Sequence, residues 1–146
     1  MLDAFSRQVV EIGPHAEQAA AWKLAGNFLI SSIIESLGEA FALLRRHEID
    51  PKAFLDTVNG GLFKSPTYET YGTIMAERRY SPAGFAMPLG LKDLRLVLQA
   101  ADAAGVTMPL ASLVHDRLLT AMARGKQDLD WSAIAELAAE DAGLKE

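Results

Sequence analysis

The chain has no cysteine among its 146 residues. Disulfide bonds and thiolate metal sites are therefore excluded. Its three histidines, His15, His47 and His115, are widely separated, and none has another histidine or a carboxylate at a spacing that argues for metal ligation. We predict that the chain holds no metal ion.

Positive charge is scarce as well. The chain has 14 lysines and arginines against 19 aspartates and glutamates, which gives a net charge of -5 at pH 7. The largest basic groups, Arg45 with Arg46 and Arg78 with Arg79, are separate pairs rather than one patch. Because such a chain repels a phosphate backbone, we predict no nucleic-acid binding.

The glycines do not form a nucleotide-binding motif. Neither G-x-G-x-x-G nor the phosphate loop G-x-x-x-x-G-K occurs in the sequence. We therefore expect the chain by itself to bind no nucleotide cofactor.

Apolar residues form only one long run, residues 19–34, and that run contains Lys23. It is shorter than the roughly 20 apolar residues that a membrane span requires, so a buried helix explains it better. Residues 1–10 include Asp3 and Arg7 and lack the apolar core of a secretory signal peptide. These features predict a cytoplasmic protein without a membrane segment.

What the sequence does contain is a series of helix signals. No proline interrupts residues 15–47, in which alanine, leucine, isoleucine and glutamate dominate, so one helix of about thirty residues is expected there. Further helices are indicated by the apolar recurrence of residues 91–101 and by four start signals: Asp50-Pro51, Ser65-Pro66, Pro109 and Asp130. We predict an all-α bundle around the long N-terminal helix.

That helix is apolar nearly all round over residues 19–34, which predicts partners on several sides and hence a homodimer through the helix. Gly26 and Gly38 each weaken it by roughly 1 kcal/mol relative to alanine. We expect them to permit close approach of another backbone.

Val9, Val10 and Ile12, followed by Gly13-Pro14, are typical of a short β-strand, yet no second strand is predicted to pair with it. The segment therefore either packs irregularly or belongs to a sheet formed by sequence outside this chain. We divide the chain into residues 1–14, a strand or linker, and residues 15–146, a helical domain.

Lys23 and Asn27 are the most informative polar pair, because four residues on a helix bring them to one face, about 6 Å apart. If its small apolar neighbours remove water from Lys23, the ammonium becomes suited to proton transfer, and the adjacent amide can hold a carboxylate or hydroxyl. The alternative is that Lys23 extends to solvent and Asn27 bonds a neighbouring loop. A second pair, Lys92 and Asp93, begins another helix, where such charges are often merely solvated.

The segments WKLAGN and GFAMPLGLKDLRL, with about seventy residues between their lysines, resemble the C-terminal helical domain of the β-hydroxyacid dehydrogenases. This is the family of 3-hydroxyisobutyrate dehydrogenase and tartronate semialdehyde reductase, related to 6-phosphogluconate dehydrogenase. The resemblance covers residues 9–144. Glu17 and Ala19 depart from it, since members usually have glycines at these two positions.

The resemblance implies that an N-terminal Rossmann domain, absent from this chain, binds NAD or NADP and that residues 9–12 are its last strand. It implies that Lys23 is the catalytic proton donor and acceptor, that Asn27 holds a small hydroxy-acid substrate, and that Lys92 faces substrate and nicotinamide. Asp93 then supports Lys92, and Phe85 lies near the cofactor. On this interpretation the chain alone is inactive; the other hypotheses are a non-catalytic dimerisation module and a ligand-binding helical bundle.

Overall fold

The computed structural model describes residues 10–144, which form six α-helices and one short 3-10 helix. In chain order these elements are α1 (Ala16–Arg46), α2 (Pro51–Asn59), α3 (Pro66–Ala76), α4 (Met87–Ala103), α5 (Pro109–Ala123), the 3-10 helix (Trp131–Ile134) and α6 (Ala135–Asp141). Across residues 10–144 no strand is formed, and one isolated antiparallel bridge joins Ala86 to Asp130. The predicted all-α fold is confirmed.

Three of the predicted helix starts are confirmed, and a side-chain cap stabilises each of them. The side chain of Asp50 accepts hydrogen bonds from the amides of Lys52 and Ala53, and Ser65 accepts one from Tyr68. Asp130 likewise accepts from the amide of Ser132 at the start of the 3-10 helix. Each cap satisfies amides that a helix leaves without an internal partner.

Helix α1 runs between caps at His15 and His47, as predicted, but its two halves have different surroundings. The second half is buried in the core, with Ile34 and Phe41 fully inaccessible to solvent. The first half projects from the bundle and is largely exposed. In the described part of the chain, α1 alone is long and apolar enough to cross a membrane, and 39% of its most apolar window is buried inside the molecule. The core covers the apolar residues in the second half of α1, so their burial explains their apolar character.

Gly38 lies where α1 crosses the start of α6. A Cβ placed on Gly38 would be 2.9 Å from the Cα of Ala135, so only glycine allows the two backbones this close. Gly26, in the exposed half, has no atom within 4 Å of the same position. The expected close approach is therefore confirmed for Gly38 and is not made at Gly26 within this chain.

The predicted N-terminal strand is not formed over its described part. Residues 10–13 have no regular secondary structure, and Val9 lies outside the described residues. The physical reason is that a strand requires a neighbour for its backbone hydrogen bonds, and residues 10–144 provide none.

Two carboxylates are buried against arginines and connect distant parts of the bundle. Glu35 on α1 accepts a 2.7 Å hydrogen bond from Arg117 on α5, and Glu136 on α6 pairs with Arg78 after α3. Burial raises the pKa of Glu35 and outweighs the opposing effect of Arg117. At Glu136 burial also opposes ionisation, but the hydrogen bonds from Arg78 prevail and lower the pKa.

We expect Gly38→Ala to destabilise the chain by up to about 2 kcal/mol. The added methyl forces α1 and α6 apart at a cost of about 1–3 kcal/mol, and the roughly 1 kcal/mol that alanine contributes to helix formation offsets part of that cost. Urea unfolding followed by circular dichroism measures the difference. Gly61→Ala is the matched control, since nothing lies within 4 Å of that Cβ; equal effects of the two variants would contradict the close-packing account.

Candidate active site

Helices α1 and α4 bring Asn27 and Asp93 together from positions 66 residues apart in the sequence. The Nδ2 atom of Asn27 donates a hydrogen bond of 2.5 Å to Oδ2 of Asp93. Only 2% of Asp93 is exposed, whereas Asn27 is partly exposed beside it. A buried carboxylate of α4 thus holds a side chain of α1 that solvent can reach.

This hydrogen bond also sets the orientation of the amide. An ionised carboxylate only accepts hydrogen bonds, so the NH2 group of Asn27 faces Asp93. The amide oxygen then points away from Asp93. Asn27 presents that oxygen as an acceptor to whatever binds next to it.

Lys92 lies beside the other oxygen of the same carboxylate. Its Nζ is 3.3 Å from Oδ1 of Asp93, and 59% of the lysine side chain is exposed. The Oδ1 atom is buried and makes no hydrogen bond, so the contact with Lys92 is an ion pair without hydrogen-bond geometry. The carboxylate therefore retains an acceptor that no described residue satisfies.

Lys23 occupies α1 one turn before Asn27 and is exposed. The expectation that its neighbours remove water from it is wrong for this chain, because Ala16, Ala19 and Ala20 are themselves exposed. Residues 16–23 at the start of α1 are all exposed, so no described element covers Lys23. Within the described residues, Lys23 has no ion-pair partner.

Phe85 lies in the loop before α4 and is half-buried. Its ring packs edge-on against Trp131, with 4.8 Å between the ring centroids. Its amide donates to Oδ2 of Asp130 at 2.9 Å, and its carbonyl accepts from the amide of Trp131 at 2.8 Å. The structure thus joins Asn27, Lys92 and Asp93 directly, places Lys23 one turn away, and holds Phe85 through the 3-10 helix.

Asp130 and Trp131 are the supporting residues that sequence reasoning missed. Asp130 was expected only to start a helix, which its bond to Ser132 confirms. The Asp-x-Ser pattern of a cap was the available signal, and it does not reveal that the same carboxylate holds Gly84 and Phe85, which lie 46 and 45 residues away.

Several groups at this site are available to a ligand. The amide oxygen of Asn27, which points away from Asp93, suits a hydroxyl donor, and the exposed ammonium groups of Lys23 and Lys92 suit an anionic group. Leu89 and Leu96 are exposed on α4 beside Lys92 and offer apolar surface for a ring. Across residues 10–144, no three His, Cys, Asp or Glu residues group closely enough to hold a metal ion.

Comparisons with known proteins find relatives over most of this chain. Residues 18–138 match the family model described as NAD-binding of NADP-dependent 3-hydroxyisobutyrate dehydrogenase. The chain is 41% identical over 134 residues to an oxidoreductase of Bacillus subtilis, YfjR, covering 92% of this chain and 46% of that protein. It is 31% identical over 114 residues to 2-hydroxy-3-oxopropionate reductase of Escherichia coli, covering 78% of this chain and 39% of the reductase.

Among solved structures, the chain is similar to 3-hydroxyisobutyrate dehydrogenase from Salmonella typhimurium, with a TM-score of 0.86 and 26% identity. The similarity covers 93% of this chain and 47% of the dehydrogenase. The chain therefore spans about half the length of the relatives it matches. From its sequence, fold and family-model match, the chain belongs to the 3-hydroxyisobutyrate dehydrogenase family of oxidoreductases, as the C-terminal helical region.

Proposed function

We propose that this chain is the C-terminal domain of an NAD(P)-dependent oxidoreductase that acts on a small β-hydroxy acid or a related carbonyl compound. The observation that carries the proposal is the partly buried hydrogen bond between Asn27 and Asp93, flanked by the exposed ammonium groups of Lys23 and Lys92. A nicotinamide cofactor, bound by a Rossmann domain outside this chain, supplies or accepts the hydride. The remaining chemistry belongs to the side chains described here.

Lys23 transfers the proton. Reduction of a carbonyl leaves negative charge on its oxygen, and an ammonium within hydrogen-bond reach neutralises that charge by giving up a proton. In the reverse direction the neutral amine accepts the proton of the substrate hydroxyl.

Asn27 and Lys92 hold the substrate. The amide oxygen of Asn27 accepts from a substrate hydroxyl, in an orientation that Asp93 sets through the opposite end of the amide. Lys92 attracts the carboxylate of the substrate and faces the nicotinamide, while Asp93 keeps its ammonium in place. Phe85 contributes a ring face near the cofactor.

We expect Lys23→Ala to lower kcat by roughly 10²- to 10⁴-fold in the protein that joins this chain to its cofactor domain, since that range is typical of a lost general acid. Lys23→Arg should be similarly impaired, because a guanidinium does not release its proton at neutral pH. Steady-state oxidation of hydroxy acids, followed by nicotinamide absorbance, measures the loss.

Lys64→Ala is the control for this experiment, because Lys64 is also an exposed lysine, located after α2. Unchanged turnover in Lys23→Ala would contradict the catalytic role. The 146-residue chain alone should show no turnover, because the Rossmann domain that we propose to hold the hydride donor is outside it.

We expect Asp93→Asn to raise the KM for the hydroxy acid by about 10- to 100-fold, since a hydrogen bond to a charged group contributes about 1.5–3 kcal/mol. The substitution keeps the size of the side chain but removes the charge that orients Asn27. Asp102→Asn, an exposed acid on the same helix, should leave the KM unchanged. An unaltered KM in Asp93→Asn would show that the amide needs no orienting carboxylate.

We further propose that the protein is a homodimer through the exposed half of α1. Trp22 and Leu29 are 64% and 60% exposed and lie seven residues apart on one stripe, with the uncovered Gly26 between them. A helix paired across this stripe can approach closely at the glycine and cover both side chains. One short domain leaves the apolar surface of these two side chains uncovered.

We expect Leu29→Glu to convert the dimer to a monomer at micromolar concentration, because a charge in an apolar interface loses hydration without gaining a partner. Sedimentation velocity distinguishes the two states. Leu62→Glu is the matched control, since Leu62 is 92% exposed but lies in the loop after α2. A wild-type chain that sediments as a monomer, with or without its cofactor domain, would refute this interface.

A further inference from the structure

We propose that Asp130 is a positioning residue, which fixes Phe85 and the start of α4 so that Lys92 and Asp93 meet substrate and cofactor. The inference rests on the proposed function, because it assigns Asp130 a role in that same site. Asp130 touches neither reacting group. It acts through the loop of residues 80–87.

The carboxylate of Asp130 is buried, with 2% exposure, and both of its oxygens are fully used. Its Oδ2 accepts hydrogen bonds from the amides of Gly84 at 3.0 Å and Phe85 at 2.9 Å. Its Oδ1 accepts from the amide of Ser132 at 3.0 Å and from the Ser132 hydroxyl at 2.6 Å. One carboxylate therefore joins the loop before α4 to the 3-10 helix.

Backbone hydrogen bonds reinforce this junction on both sides. The amide of Asp130 donates to the carbonyl of Tyr80 at 2.9 Å, and the amide of Met87 donates to the carbonyl of Leu129 at 3.0 Å. Helix α4 has no side-chain cap of its own. Its first turn is consequently held by residues 129–131.

Trp131 connects this junction to α4 by packing against it. Its ring lies against Phe85 and against Gly90, where an added Cβ would be 2.8 Å from Cε3 of the indole. Lys92 and Asp93 follow Gly90 by two and three residues, within one helical turn. A shift of the junction therefore displaces Phe85 and the start of the turn that carries both charged residues.

Replacing Asp130 by asparagine separates the two sides of the junction. Only one oxygen of the amide accepts hydrogen bonds, so either Gly84 and Phe85 or Ser132 faces an NH2 group instead. Ser132→Ala is the matched control. It removes one hydrogen bond from the same carboxylate but leaves the two bonds to Gly84 and Phe85 intact.

The first measurement is amide hydrogen exchange in the 146-residue chain, resolved at Gly84, Phe85 and Ser132. We expect exchange in Asp130→Asn to rise at least tenfold on the side that faces the NH2 group, either at Gly84 and Phe85 or at Ser132. In Ser132→Ala, exchange at Gly84 and Phe85 should stay within about threefold of wild type, because a tenfold change corresponds to about 1.4 kcal/mol. Unchanged exchange at all three amides in Asp130→Asn would overturn the inference. This measurement does not depend on any enzyme activity.

The second measurement is steady-state kinetics of the same variants joined to the cofactor domain. We expect Asp130→Asn to raise the KM for the nicotinamide cofactor at least tenfold with kcat less affected, and Ser132→Ala to keep the wild-type KM. A tenfold rise in exchange without a change in KM would make Asp130 purely structural and overturn the inference. Absence of turnover in the wild type would instead refute the proposed function.

If Asp130→Asn does not fold, Asp130→Glu replaces it in both experiments. Glutamate keeps two acceptor oxygens and the negative charge but displaces them by one methylene group. The same two criteria then apply, a rise in exchange at Gly84 and Phe85 together with a higher KM for the cofactor. Wild-type values in both measurements would again overturn the inference.

Discussion

The buried carboxylate of Asp130 is the interaction on which the arrangement of the C-terminal half depends. A charge taken out of water is stable only when its oxygens are hydrogen-bonded, and here four donors from two separate segments meet that need. The loop before α4 and the 3-10 helix cannot move apart without leaving the charge unsatisfied. These hydrogen bonds therefore fix the position of α4 in the bundle, and the position of Asp93 follows from that of α4.

Helix α1 carries two of the proposed site residues, Lys23 and Asn27. Its second half is anchored in the core by Ile34 and Phe41 and crosses α6 at Gly38, while its first half projects outward with Lys23 and Asn27. The hydrogen bond from Asn27 to Asp93 lies near the boundary between the two halves. The helix thus presents Lys23 to solvent and leaves Asn27 partly exposed beside α4. The proposed function requires such a surface, because it assigns the cofactor to a second domain.

Local chemistry explains why most helix boundaries were predictable from the sequence. Asp50, Ser65 and Asp130 cap helices through amides two or three residues away, and proline at the first position needs no distant partner. The alignment of Lys23 with Asn27 follows equally from the helical repeat. In each case the interacting groups lie within one turn, so their order in the chain determines their contact.

Tertiary structure decided the rest, because the contacts involved join residues that are far apart in the chain. The sequence by itself determined an all-α chain with one long helix and the two lysine-bearing segments of its family. Three features depend on how α1, α4 and the 3-10 helix pack: Asp93 holds Asn27, Asp130 holds Phe85, and Lys23 is exposed. Burial and long-range hydrogen bonding are properties of that packing, and no local pattern of residues specifies them.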